Sequence, residues 1–368
     1  RSVVEDSLTN PIKEAIAEGE ILKDKEYELR KTRVDIQYSE LTKRQEQQNA
    51  FDVLPIGENI ATRAASLSIE NEEYIKLAKE AATFLSMKVF KDKVALFPRN
   101  IILFGAETGT GKSTTVANFV ESYIKQGKRV LVITNEEYST DILNRVIFLL
   151  NNWAYTNHDE VTPEQLAKCN ELYPILMKRI EIIDDKFNGI GGTTTTLEGI
   201  QAICNTLVSQ MGTKPTYDAI VIDYVQNIKT SIEIPNLAQW MVLDRLGTFL
   251  DNWKGSYPAP ILLFSQLKAS NGDNDSFKDR IEKFKAVMNH ATTAIEVKAD
   301  RENLRTEWIF RKNRFKGAVG ISVITGYDKG RYINYSQDFM TRTRVRKEAK
   351  KHAELMGNIF NEGENNEN

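Results

Sequence analysis

The segment Ala106-Glu-Thr-Gly-Thr-Gly-Lys-Ser113 joins an apolar run, Ile101-Ile-Leu-Phe104, to a stretch of helical spacing from Thr114 to Ile124. Glycines at 109 and 111 let the backbone turn tightly, so that successive N–H groups point at one anion and the following helix adds the positive end of its dipole. Strand, glycine loop and helix in that order are the setting a phosphate-binding loop requires. Ala106, Gly109, Thr110, Gly111 and Thr114 are then expected to cradle phosphates. Lys112 would reach the β- and γ-phosphates, and the Ser113 hydroxyl would ligate Mg²⁺. The expected ligands are a nucleotide, taken as ATP with the preference among nucleotides left open, and Mg²⁺.

Hydrolysis needs further groups, and four later segments offer them. Tyr217-Asp-Ala-Ile-Val-Ile-Asp223 is an apolar strand ending in a carboxylate. At the carboxyl edge of an open α/β sheet, Asp223 can hold Mg²⁺, usually through a water. Val130-Leu-Val-Ile-Thr-Asn-Glu-Glu-Tyr138 ends in two carboxylates. Glu136 is the first choice to orient and polarise the attacking water, with Glu137 in reserve. Ser139-Thr-Asp141 also reads as a helix start, so a capping role stands beside the catalytic one. Pro260-Ile-Leu-Leu-Phe-Ser-Gln266 places the Gln266 amide where it can sense a γ-phosphate. Arg311-Lys-Asn-Arg-Phe-Lys-Gly317 is a basic turn; two cations two residues apart on a strand, Lys312 and Arg314, point the same way. Together they could be aimed at the γ-phosphate of an adjacent subunit, where an arginine neutralises transition-state charge. A surface cation cluster is the alternative.

The elements that must position these groups begin near Pro98. Strands are expected at Ile101–Phe104, Val130–Thr134, Ile180–Ile183, Ala219–Asp223, Ile261–Phe264, Thr293–Val297 and Ile321–Ile324. Several are continuous apolar runs, as for strands buried on both faces of a mainly parallel sheet. With helices between the early ones, the fold class is α/β: a doubly wound core whose later strands close as a meander, plus a helical amino-terminal extension. Residues 1–55 read as a charged arm or linker and 56–97 as a helical linker, with an amphipathic helix over 71–88. The ATPase core spans 98–340, and 341–368 hold a basic helix and an acidic disordered tail.

The bulk composition sets outer limits. The chain has 368 residues, 41% hydrophobic, with net charge −2, so no global basic field points to non-specific coating of nucleic acid. Cys169 and Cys204 have no metal spacing and read as free thiols of a reducing, cytoplasmic compartment. No apolar run approaches membrane-spanning length. The chain opens on Arg1 rather than Met, which leaves room for an upstream segment.

The order of these motifs resembles the RecA-like ATPase of DnaB-type replicative helicases, including phage primase-helicases, with RadA/Sms and KaiC as related families. Gly105 to Thr114 is similar to that family's phosphate loop. Thr134-Asn-Glu-Glu-Tyr-Ser139, with Ile142 and Arg145, is similar to the block carrying its catalytic Glu, and the Arg145 spacing puts that Glu at 136. Ile220 to Gln226 matches the Asp strand, Phe264-Ser-Gln-Leu267 the Gln strand, and Lys312-Asn-Arg314 the Lys-x-Arg element in which Arg314 is the finger and Lys312 its companion. The resemblance implies a homo-oligomeric ring, most often a hexamer, acting on single-stranded DNA with a primase or polymerase partner. Lys278, Arg280, Lys283 and Lys285 are the cations expected to meet strand phosphates; a solvated loop is the alternative. The stretch Lys268–Arg280 departs from the family's Arg-rich DNA segment, and Lys316 is inserted before Gly317. A RadA-like repair ATPase and a nucleotide-switched loader or scaffold therefore stay open.

Overall fold

The computed structural model describes residues 84–91, 93–94, 96–154, 161–184, 193–231, 238–268, 280, 285–314 and 319–335, together with 68–69, 71–72 and 75–76. Its backbone is a nine-stranded sheet among the described residues, in the order β3-β2-β4-β5-β1-β6-β7-β8-β9. The strands are β1 Ile101–Glu107, β2 Val130–Thr134, β3 Ile180–Asp184, β4 Ala219–Asp223, β5 Ile261–Leu267, β6 Thr293–Asp300, β7 Arg305–Asn313, β8 Ser322–Asp328 and β9 Arg331–Asn334. Those from β3 to β6 in the sheet order pair in parallel. The last three join antiparallel, as the expected meander.

The parallel strands are apolar at nearly every position because both faces are covered. β2 and β4 are buried from end to end. One face packs helices α1 Lys112–Lys125, α2 Ser139–Leu150 and α3 Pro163–Leu176. The other packs α4 Leu197–Ser209, α5 Gln239–Trp253 and α6 Lys285–His290. Crossover helices lie on both faces, so every parallel strand aims its carboxyl end at the same edge. Glu107, Thr134, Asp184, Asp223, Leu267 and Asp300 end their strands there. In register, Thr134 stands beside Asp223 and Ala106 beside Gln266.

The core reaches further toward the amino terminus than residue 98. Phe84 stacks on Phe104 with ring centroids 5.0 Å apart and meets Trp308 edge-on at 5.7 Å. Phe90 meets the same Trp308 ring at 5.4 Å. The expected helix over 71–88 does not run through to its end. Leu85 sits at φ 55 inside a short 3₁₀ turn, Phe84–Ser86, which breaks helical continuity and turns Phe84 into the core. The amino-terminal arm up to residue 67, residues 77–83 and the segment 341–368 lie outside the described residues.

Candidate nucleotide site

The phosphate loop leaves β1 at Glu107 and enters α1 at Lys112. Gly109 and Gly111 take φ of 75° and 92°, a region open to glycine without strain. A Cβ on Gly109 would also stand 3.1 Å from Arg301 Nη2, whereas one on Gly111 would meet only ordinary contacts, the nearest the Tyr332 hydroxyl at 3.5 Å. Thr110 Oγ1 donates to the Glu107 carbonyl at 2.7 Å and closes the turn. The loop and the start of α1 line a cavity of about 470 Å³, large enough for a nucleotide.

The ends of two strands, β2 and β4, converge on Lys112. Its ammonium pairs with Glu136, stands 3.2 Å from Asp223 Oδ1, and lies 3.8 Å from the centroid of the Tyr224 ring. Asn135 fixes this geometry. Its N–H donates to the Asp223 carbonyl at 3.0 Å and its side chain to the Tyr224 carbonyl at 2.9 Å, which latches the ends of β2 and β4 together. The next residue, Glu136, then lines the cavity.

The two carboxylates weighed in the sequence occupy different settings. Glu136 is 42% exposed beside Lys112, whereas Glu137 is 15% exposed and paired with Arg145 at 3.2 Å. The geometry therefore favours Glu136 for contact with a reactant. Gln266 sends its side-chain amide to Thr108 Oγ1 of the phosphate loop. Behind it, Gln226 donates to the Gln266 carbonyl at 2.6 Å, and Gln239 at the start of α5 donates to the Gln226 carbonyl at 3.2 Å.

Asp223 is fully buried. Burial pushes its carboxyl up to about 6, the Lys112 ammonium pulls the other way, and Glu136 and Glu137 push it further up. Neither carboxylate oxygen accepts a well-aligned hydrogen bond among the described residues. Two buried oxygen acceptors at a strand end, next to an anion-binding loop that carries the Ser113 hydroxyl, form a donor set suited to Mg²⁺ through a water.

The far wall of the cavity comes from the antiparallel strands, and the sequence gives no sign of it. Arg301, in the β6–β7 turn, donates to the Gly109 carbonyl. Leu304, Arg305, Tyr327 and Tyr332 continue the wall. The wall is keyed to α1: Thr115 Oγ1 and Tyr332 OH lie 2.9 Å apart, Asn118 donates to the Gly330 carbonyl at 2.7 Å, and Arg331 pairs with Glu121 at 2.6 Å. Spacing carries no signal for contacts between residues some two hundred positions apart.

Lys312 and Arg314 lie elsewhere. β7 runs antiparallel to β6, so Arg305 lines the cavity while Asn313 ends at the opposite edge, roughly 26 Å away at strand rise. That gap is longer than any side chain, so neither cation reaches the phosphate loop of the same chain. Arg314 is exposed. Lys312 donates to the carbonyls of Met288 and Asn289 at 2.7 and 3.0 Å. Desolvation, and then the nearby Arg314, bring its ammonium down to about 8.

One expected strand contact is corrected. Arg280 is 6% exposed and closes ion pairs with Glu107 and, at 2.6 Å, with Glu296. Its charge is compensated inside the fold, so it offers no free cation to a nucleic acid. Lys278 and Lys283 lie outside the described residues, and Lys285 opens α6 with its side chain undescribed.

No protein-family profile matches the chain. A solved ATPase domain superposes with a TM-score of 0.58 at 14% identity, covering 76% of this chain and 100% of that domain. The fold matches that of RecA-like ATPase domains, a mostly parallel sheet flanked by helices. A second solved structure, of a DnaB-like replicative helicase and its interactions with primase, superposes at a TM-score of 0.54 and 15% identity. It covers 65% of this chain and 60% of that one. In sequence, the signal recognition particle receptor FtsY of Mycoplasma genitalium is 27% identical over 153 residues, 38% of this chain. The chain spans 42% of that receptor's length. Among the described residues no helix is long and apolar enough to cross a membrane. Cys169 and Cys204 are buried free thiols.

Proposed function

We propose that this chain is an ATP hydrolase whose active sites form between neighbouring protomers of a ring, most simply of six, and that it works as a helicase moving along single-stranded DNA. The observation that carries the reading is the split of the machinery. Lys112, Glu136, Asp223 and Gln266 gather at one sheet edge, while Lys312 and Arg314 stand at the other. A protomer on its own is then half a site, and a closed ring completes every one.

In this reading the triphosphate lies along Gly109–Thr114, and the nucleobase lies toward Leu304 and Tyr327. Lys112 moves its ammonium from Glu136 to the phosphates. That leaves Glu136 a carboxylate able to orient and deprotonate the attacking water. Ser113 and Asp223 would hold Mg²⁺, which would supply charge neutralisation to the phosphates. Gln266 reports the γ-phosphate to Gln226 and on to α5. The neighbour's Arg314, with Lys312 as companion, stabilises charge developing on the transferred group.

The test is ATP hydrolysis with and without single-stranded DNA, together with strand separation on a forked duplex. DNA-stimulated turnover and ATP-dependent unwinding are expected. The burial of Arg280 favours one second reading, a nucleotide-switched loader or scaffold. Hydrolysis indifferent to DNA, without unwinding, would establish that reading in place of the motor.

A further inference from the structure

A line of alternating charges runs from the phosphate loop across the sheet to β7. Glu107, the last residue of β1, pairs with Arg280. Arg280 Nη1 donates to Glu296 Oε1 of β6 at 2.6 Å. Glu296 Oε2 in turn accepts two hydrogen bonds from Arg311 of β7, at 2.8 and 2.5 Å. Arg280 also donates through Nε to the Lys268 carbonyl at 3.1 Å, so one guanidinium spans the ends of β1 and β5 and the middle of β6. Glu296 is 1% exposed, and Arg280 is 5% exposed in its side chain. Two carboxylates and two guanidinia thus compensate one another across three strands; the inner pair, Arg280 and Glu296, is dry and depends on its partners, while Glu107 and Arg311 at the ends are partly exposed.

The far end of the line is placed where it can act. Along β7 the core positions are Thr306, Trp308 and Phe310, and strict alternation would next bury Lys312. A register shift between Ala294 and Ile295 makes Arg311 the extra residue of a β-bulge. Past it Asn313 is buried instead, and Lys312 and Arg314 take the other face. Glu296 holds Arg311 at that bulge. The near end of the line is the residue from which the phosphate loop departs.

We propose that Arg280 is a positioning residue that, through Glu296 and Arg311, ties the phosphate loop of each protomer to the bulge that aims its own finger at the next site. The proposal rests on the reading of Arg314 as a finger acting in trans. It gives the ring a physical link between consecutive sites: a displacement of Glu107 is transmitted across β6 to the strand serving the neighbour.

The experiment measures steady-state ATP hydrolysis and nucleotide affinity of the full chain for Glu107→Gln, Arg311→Met, the double variant and Arg311→Lys. Glu107 and Arg311 stand at the two ends of the line and are its most exposed members, so these changes avoid leaving a deeply buried charge alone. Arg311→Met should lower kcat by roughly three- to thirtyfold, with KM and nucleotide affinity held. Arg311→Lys should recover most of that loss. The double variant should be no slower than Arg311→Met, because either cut severs the same link. A residue that only supports the fold would lower the unfolding midpoint and leave kcat per folded protomer unchanged. That result, or losses that simply multiply in the double variant, would overturn the proposal. Arg314→Ala serves as the control. If it abolishes turnover while Arg311→Met does not slow it, the link alone fails; if Arg314→Ala turns over normally, the trans-finger reading itself fails.

Discussion

At the carboxyl edge of the parallel strands, Lys112, Glu136, Asp223 and Gln266 are drawn together by neighbouring strand ends. At the opposite edge, Lys312 and Arg314 stand with no phosphate loop beside them among the described residues, and Lys312 rests on the carbonyls that end α6. The first edge can bind a nucleotide and arrange water within one protomer. The second presents the exposed Arg314 beside Lys312. Under the proposed function the contrast has a simple meaning: strand direction separates the two halves of one catalytic set, and assembly of protomers would reunite them.

The contrast is broken most severely by removing the cation at the first edge. Lys112→Ala should reduce hydrolysis about a thousandfold, measured as phosphate release, since its ammonium stands between both carboxylates and the loop. Glu136→Gln should lower kcat by about 10²- to 10⁴-fold while nucleotide still binds. Glu137→Gln, which removes a partner of Arg145, should leave turnover nearly intact. Equal losses for the two carboxylates would return the choice of base to the open state in which spacing left it.

A gentler change sharpens the contrast by touching one edge only. A Cβ on Gly247 of α5 would lie 2.6 Å from Cδ2 of His290, the last residue of α6. Gly247→Ala should push α6 aside and disturb the carbonyls that hold Lys312. It should cost about 1–3 kcal/mol in urea denaturation and slow turnover, with nucleotide affinity unchanged. Weakened nucleotide binding would show that the two edges are not separable.

The smallest effect expected is one of pH. Lys312 releases its proton near 8 in the folded chain and near 10.5 in the unfolded one. Between those values the unfolded state holds more protons, so this group's contribution to stability rises with pH. In urea titrations the parent should gain on Lys312→Met from about pH 8 to 10.5, and below pH 8 the gap between them should be flat.

The same division explains what could be read from residues alone. Parallel strands buried on both faces are written as unbroken apolar runs, so Ile101–Phe104, Val130–Thr134, Ala219–Asp223 and Ile261–Phe264 are plain. The groups at their ends, Glu136, Asp223 and Gln266, came with them. The antiparallel half is written differently. β7 alternates Thr306, Trp308 and Phe310 with more exposed residues and ends in a bulge, and its charges made it look like a turn. β9 is four residues long, too short for a periodic signal, yet it brings Tyr332 to the phosphate loop. Arg280 misled for a related reason. Its neighbours in sequence are polar and charged, as in a solvated loop, while the carboxylates that bury it lie 173 and 16 residues away. Local composition reports a residue's neighbours along the chain, and the fold supplies the others.

The central claim, that each site is built by two protomers, is tested most directly by mixing inactive variants. Lys112→Ala lacks the phosphate-loop cation and Arg314→Ala lacks the finger, and each alone should be inactive. Reassembled together, they create interfaces at which an intact Lys112 faces an intact Arg314, and hydrolysis should return in proportion to the fraction of such interfaces. A mixture as inactive as its components, in rings shown to contain both, would contradict the account.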